Sequence, residues 1–207
     1  MSTLAFNHEE IVPRQLKPAL FELDGISRES VEAHYKLYQG YVKKANEILQ
    51  KLQSVDLDPT KANQTFSDIR ELKLELSFAV GCVKNHELYF NHLGGDGKPT
   101  GAAEQVLQKY FGGYEKWAQD LKATGIAARG WVWLAYDWDS NTFFNYLGDA
   151  QNTFPIWNGT PILALDTYEH AYFIDYGTAR AQYIDAFLKV VDWNVVNETI
   201  QHFQIQV

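Results

Sequence analysis

A chain with one cysteine, Cys82, cannot build an internal disulfide framework or a zinc site of paired thiolates, so any metal it holds must be bound by histidines and carboxylates. Long apolar runs are also missing. The longest, Leu76 to Val83, falls far short of the roughly 20 residues that a membrane helix needs, and no bilayer span is expected. Positive charge is scarce. Lys and Arg number 18 against 26 Asp and Glu, a formal net charge of −8, and no basic cluster exists to displace counterions from a nucleic-acid backbone. Residues 1–13 lack the charged and apolar blocks of a secretory signal, which makes the cytoplasm the expected location. There is no internal repeat and no low-complexity segment.

What is present suits a soluble globular protein. The 207 residues are 46% hydrophobic, enough for one sizeable domain or two small ones. Six Trp, twelve Tyr and twelve Phe supply material for core and interface packing. Residues 14–26, with Pro18 and Gly25, read as an extended arm. Ser27 is a candidate N-cap, and Glu29 and Glu32 place negative charge where the dipole of a following helix favours it. From there Val31, His34, Tyr38, Tyr41, Ala45, Ile48, Leu49 and Leu52 recur at steps of three and four and draw one buried stripe. Asp56 to Pro59 interrupts the pattern. A second stripe runs through Phe66, Ile69, Leu72, Leu76, Ala79, Cys82, Val83, His86, Phe90 and Leu93. Two long helices joined by a short polar turn should pack as an antiparallel hairpin with His34 and His86 facing its interior.

Gly94, Gly95, Gly97, Pro99 and Gly101 mark the clearest boundary, dividing an N-terminal helical hairpin domain, 1–95, from a C-terminal domain, 96–207. Ala102 to Phe111 and Tyr114 to Ala123 read as helices separated by Gly112 and Gly113. Trp131 to Tyr136, Thr142 to Leu147 and Pro161 to Leu165 read as strands, the first two flanking a polar hairpin loop. Helical spacing returns at Ala179 to Val191 and around Val195 to Phe203. The expected fold class is α+β: a helical hairpin, then a mixed α/β domain with a three-stranded antiparallel sheet.

Asp166 and His170 sit where the third strand gives way to a helix, so both side chains can converge beyond the strand end. A carboxylate with neutral imidazoles is a mixed oxygen and nitrogen donor set that suits iron or manganese better than structural zinc. Two further histidines on the inward faces of facing helices strengthen the metal reading, because a metal explains why buried imidazoles would gather. His8, His92 and His202 lie off these faces and are expected to be solvated.

Several stretches carry a family likeness. D-T-Y-E-H-A-Y-F-I-D-Y from Asp166 resembles the D-V-W-E-H-A-Y-Y-x-D-Y signature of iron/manganese superoxide dismutases. N-H-E-L-Y-F-N-H-L from Asn85 resembles that family's second-helix ligand motif, and G-W-V-W-L from Gly130 its G-W-x-W-L. E-A-H-Y at Glu32, T-P-I-L-A-L before Asp166, A-R-A-Q-Y-I-D-A-F and V-D-W-N-V-V extend the similarity over roughly residues 20–197.

By position, the resemblance implies four metal ligands, His34, His86, Asp166 and His170, with a solvent molecule completing five-coordination. It implies disproportionation of superoxide: the oxidised metal takes an electron from one superoxide and the reduced metal gives it to a second, forming oxygen and hydrogen peroxide. A glutamine usually tunes the metal through its bound solvent. Cys82 stands where iron-type members place it, and Gln151 resembles the manganese-type arrangement, so manganese is favoured over iron. Glu169, with Tyr172, would reach across the interface of a homodimer, with pairing into a homotetramer left open. Tyr41 is the counterpart of the tyrosine that gates the approach to the metal, seven steps from His34 where eight are usual. Tyr38 stands where many members have another histidine, and Arg180 is the candidate for attracting the anionic substrate. Tyr168 replaces a usual Trp, Gly177 an arginine and Ala181 a proline. A second reading is a relative that keeps the metal cage with altered redox chemistry or a non-catalytic binding role.

Overall fold

The computed structural model describes residues 8–152 and 156–207; residues 1–7 and 153–155 lie outside them. Helix α1 (Arg28–Leu52) starts where expected. Ser27 is extended, and its Oγ accepts a hydrogen bond from the Ser30 N–H at 3.1 Å. Val31, His34, Tyr38, Ala45, Ile48, Leu49 and Leu52 are buried, joined by Val42, while Tyr41 is half-buried at the stripe's edge. Helix α2 (Asp68–Asn91) packs against α1 as the expected hairpin. Burial deepens toward its second half, where Ala79, Cys82, Val83, His86, Tyr89 and Phe90 are enclosed.

Three expectations are corrected here. The connection between α1 and α2 is the irregular segment 53–67, not a short turn. Asp58 and Asn63 side chains accept from the backbone N–H groups of Thr60 and Thr65 at 2.9 and 2.7 Å, a local competitor to helix. Phe66, assigned to the buried stripe, therefore precedes α2 and is 69% exposed. The arm is not wholly extended, since Pro18–Glu22 form a 3-10 turn that buries Leu20, with proline's fixed φ suited to its first turn.

The glycine-rich stretch is stitched to the C-terminal half: Gly94 and Gly95 N–H groups reach the Val190 carbonyl at 2.9 and 3.1 Å, and the Asp192 N–H reaches the His92 carbonyl at 2.7 Å. Helix α3 (Gly101–Val106) continues into a wider turn, Leu107–Phe111. Helix α4 (Tyr114–Ala127) runs beyond its expected end at Ala123.

Strands β1 (Trp131–Asp137), β2 (Thr142–Gly148) and β3 (Gly159–Asp166) form one antiparallel sheet in the order β2-β1-β3. Aromatic and β-branched residues favour this buried pleated surface. The β1–β3 register shifts between Leu134 and Ala135, which face Leu163 and Pro161. Pro161, without an N–H, is tolerated beside this bulge on an edge strand. Beyond it the register brings Asp166 opposite Trp131. A 3-10 turn at Glu169–Ala171 and the short α5 (Phe173–Tyr176) lead to α6 (Arg180–Lys189) and α7 (Trp193–His202). Trp117, Trp131, Tyr89, Tyr183 and Phe187 are among the fully buried side chains between the helices and the sheet. No helix among the described residues is long and apolar enough to cross a membrane.

Candidate metal centre

Asp166 closes β3, and its Oδ1 accepts from the Tyr168 N–H at 3.0 Å, an Asx-type turn that redirects the chain. The turn brings His170 back, with Nε2 3.0 Å from Asp166 Oδ2. His34, on the buried face of α1, places Nε2 3.1 Å from the same oxygen. His86, on the buried face of α2, places Nε2 3.6 Å from it. One donor atom from each of these residues lies within 4.8 Å of every other. His34, His86 and Asp166 are buried, while the side chain of His170 keeps 27% exposure and marks the open side.

The charges are set by the surroundings. Burial alone would push the Asp166 carboxyl up, but His170 and His34 beside it outweigh burial and hold it below the usual carboxylate range. Burial lowers His34, and it lowers His86 to about 3. The contact between His34 and Asp166 therefore joins an ionised carboxylate to a neutral imidazole rather than two charged partners.

His86 tests whether this donor set fits a metal. Its Nδ1–H donates to the Cys82 carbonyl at 2.7 Å, which fixes the tautomer and leaves Nε2 as a bare lone pair. That Nε2 is fully buried and has no hydrogen-bond partner. A buried acceptor facing a carboxylate is a conflict that a cation between them removes. The residues fit an iron or manganese ion.

Around these four donor residues, Gln151 is buried. Its amide oxygen accepts from Trp131 Nε1 at 2.9 Å and Asn85 Nδ2 at 3.3 Å, while Asn85 Oδ1 accepts from Trp133 Nε1 at 3.3 Å. The loop can lie this close to α2 because residue 81 is glycine: a Cβ there would sit 2.3 Å from the Gln151 carbonyl oxygen. Asn85 and Trp131 join this network although sequence pattern alone gives neither a role. The signal available was their place inside the two quoted motifs.

Tyr41 stacks on His86 with centroids 6.1 Å apart; burial, then the neighbouring Cys82 thiol, raises its pKa. Tyr38 also stacks on His86, at 6.3 Å, yet its hydroxyl donates to Glu87 and accepts from the Arg14 N–H, both at 2.9 Å. That hydroxyl holds the arm. Tyr168 lies against His170 with centroids 5.2 Å apart.

Glu169 is outside the donor cluster, with a 65% exposed side chain 3.7 Å from Arg180. Tyr172 is buried, and its hydroxyl accepts from Arg180 Nε at 3.1 Å. Arg180 also donates to the Ala128 and Gly125 carbonyls at 2.6 and 3.4 Å, so it caps the C-terminus of α4. His8 and His202 are exposed as expected. His92 is not: it is fully buried with both ring nitrogens unpartnered. It follows the last residue of α2, where helical spacing no longer tells which way a side chain faces.

Residues 18–94 match the family described as iron/manganese superoxide dismutases, alpha-hairpin domain, and residues 99–199 match iron/manganese superoxide dismutases, C-terminal domain. The chain belongs to the iron/manganese superoxide dismutase family. It is 43% identical over 190 residues to a superoxide dismutase [Fe] of Aquifex aeolicus, covering 90% of this chain and 88% of that one. It is 35% identical over 189 residues to a superoxide dismutase [Fe] of Cupriavidus metallidurans, covering 89% and 92%. It is 33% identical over 204 residues to superoxide dismutase [Mn] 1 of Halobacterium salinarum, covering 90% and 94%. As a member of the iron/manganese superoxide dismutase family, the chain is an oxidoreductase with superoxide as its substrate.

Proposed function

We propose that the chain disproportionates superoxide at a single manganese ion held by His34, His86, Asp166 and His170. The observation that carries this reading is the convergence of four donor atoms within 4.8 Å around a buried, unpartnered imidazole nitrogen. When bound, the ion supplies the one-electron exchange by which one superoxide becomes oxygen and the next, with two protons, becomes hydrogen peroxide.

The chain's own residues set the conditions for that exchange. Asp166 brings the one negative charge, and the fixed tautomer of His86 presents its lone pair without rearrangement. Gln151 commits its amide oxygen to Trp131 and Asn85, which leaves its amide N–H groups as the donors it has to offer a bound solvent. Tyr41, stacked on His86, gates the approach, and Tyr38 supports the same ring while anchoring the arm. Arg180 adds positive potential near the open side, although its guanidinium also serves backbone carbonyls.

Manganese is supported by the placement of Gln151 in the loop before β3, with the smaller Cys82 where a competing glutamine would stand. Iron is the second reading, favoured by the Aquifex aeolicus relative named for iron. Apo-protein reconstituted separately with each metal and assayed for superoxide dismutation distinguishes them.

The active form is proposed to be a homodimer with Glu169 at its centre, while Tyr172 lies behind that surface, buried within its own subunit against Arg180. Glu169 stands exposed beside Phe173 and Ile174, which are 55% and 48% exposed, an apolar surface that association would cover.

A further inference from the structure

Helix α1 carries His34, and the turn after β3 carries His170. These two elements come from opposite halves of the chain, yet their imidazole centroids must sit 4.8 Å apart at one metal. Three contacts fasten them together at the start of α1. Asp175 Oδ2 accepts from the Ser27 N–H at 2.8 Å, the Tyr176 hydroxyl donates to the Gly25 carbonyl, and the Ser30 hydroxyl donates to the Ala171 carbonyl at 3.5 Å.

The chemistry of each partner suits the contact. Ser27 is the N-cap of a long helix, and a carboxylate beside that end is favoured by the helix dipole. Gly25 has φ +87°, and a Cβ there would lie 2.9 Å from the Ala186 Cβ and 3.1 Å from the Tyr176 hydroxyl, so only glycine lets α6 and Tyr176 approach this closely. A helix is stiff over short distances, and the seven residues from Ser27 to His34 rise only about 10 Å, so a shift at the cap is carried to the ligand.

We propose that Asp175 and Tyr176 are positioning residues that clamp the start of α1 against the His170 turn and thereby slow release of the metal. Neither residue is a ligand. Their action runs through His34 and His170. Removing a contact that only stabilised the fold would lower the unfolding temperature of apo- and metal-loaded protein alike and leave the release rate unchanged, whereas the clamp acts on release itself.

The test compares full-length wild type with Asp175→Ala/Tyr176→Phe and with Asp175→Asn, which keeps a carbonyl acceptor for Ser27. Each is loaded with manganese, and metal transfer to excess chelator is timed. The expected result is release at least ~10-fold faster in the double variant, within the range found for residues that orient metal ligands, and restored to within about threefold of wild type in Asp175→Asn. Release within about twofold of wild type in the double variant overturns the clamp. Hydrogen exchange on wild type gives an answer that requires no variant to fold. Since coupling between metal and clamp is reciprocal, the Ser27 amide should be better protected in the loaded protein, and equal protection in both forms overturns the proposal. Because the clamp rests on the metal reading, wild-type metal content is measured first. Failure to take up either manganese or iron overturns both, and bound metal with unchanged release overturns the clamp alone.

Discussion

His86 Nε2 faces Asp166 Oδ2 across 3.6 Å with no hydrogen on the nitrogen side to bridge them, because the imidazole proton is committed to the Cys82 carbonyl. The apo-protein thus carries an unresolved repulsion at the junction of α1, α2 and β3. Stripping the metal should lower stability, by about 4 kcal/mol relative to protein in free metal at a thousandfold excess over its dissociation constant. Urea unfolding with and without metal checks this. His170→Ala should abolish metal uptake and weaken the dimer together, and full metal retention would refute the ligand set.

Gln151 ties the catalytic side to the sheet. Gln151→Ala leaves the buried Trp131 indole N–H without its acceptor and should destabilise the fold by about 1–3 kcal/mol. Activity should fall about 10- to 100-fold with metal content unchanged. Loss of metal along with activity would instead place Gln151 in the binding of the ion.

His92 makes the protein acid-sensitive away from the metal. Burial pushes its pKa down to about 3, whereas in the unfolded chain it titrates near its ordinary value of about 6.5. The facing charges, Lys17 and Asp192, have smaller and opposed effects. Below about pH 6.5 the unfolded state gains a proton that the folded state refuses, so stability falls with falling pH, by about 1.4 kcal/mol per unit, until the folded pKa is reached. His34 and His86 add to the slope in the apo-protein, and a substitution isolates the share of His92. In His92→Leu, apo-protein unfolding between about pH 6.5 and 5 should lose roughly 2 kcal/mol less than wild type. Parallel pH profiles would show that His92 is solvated or paired in solution.

Glu169→Lys should convert the proposed dimer into monomer, measured by sedimentation at micromolar protein, because it places like charge beside Arg180 in a surface built to be covered. Retention of the dimer would move the interface elsewhere.

The convergence of four donor residues was legible because each lies where sequence pattern is strongest: His34 and His86 on helical stripes, Asp166 and His170 at a strand end within a dense motif. The hairpin and three strands followed from the same periodicities, with Asp58 and Asn63 turning the expected short connection into a long loop that expelled Phe66. Tyr38 was harder to place. Its ring direction follows from helical spacing, but one of its hydroxyl's two partners is the Arg14 amide, supplied by an arm whose path no local pattern describes. His92 was misread because periodicity stops at the end of α2, and its burial depends on the Asp192 segment, about a hundred residues later in the chain, folding over it. Gly81 carries no sequence signal of its own, and its meaning appears only when Gln151 is seen resting on it.

Metal analysis of the purified chain, combined with a superoxide dismutation assay after loading apo-protein with manganese or iron, is the most direct test. The expected result is close to one ion per chain and fast dismutation with at least one of the two metals, higher with manganese. A fully loaded protein that leaves superoxide untouched with either metal would contradict the proposed function.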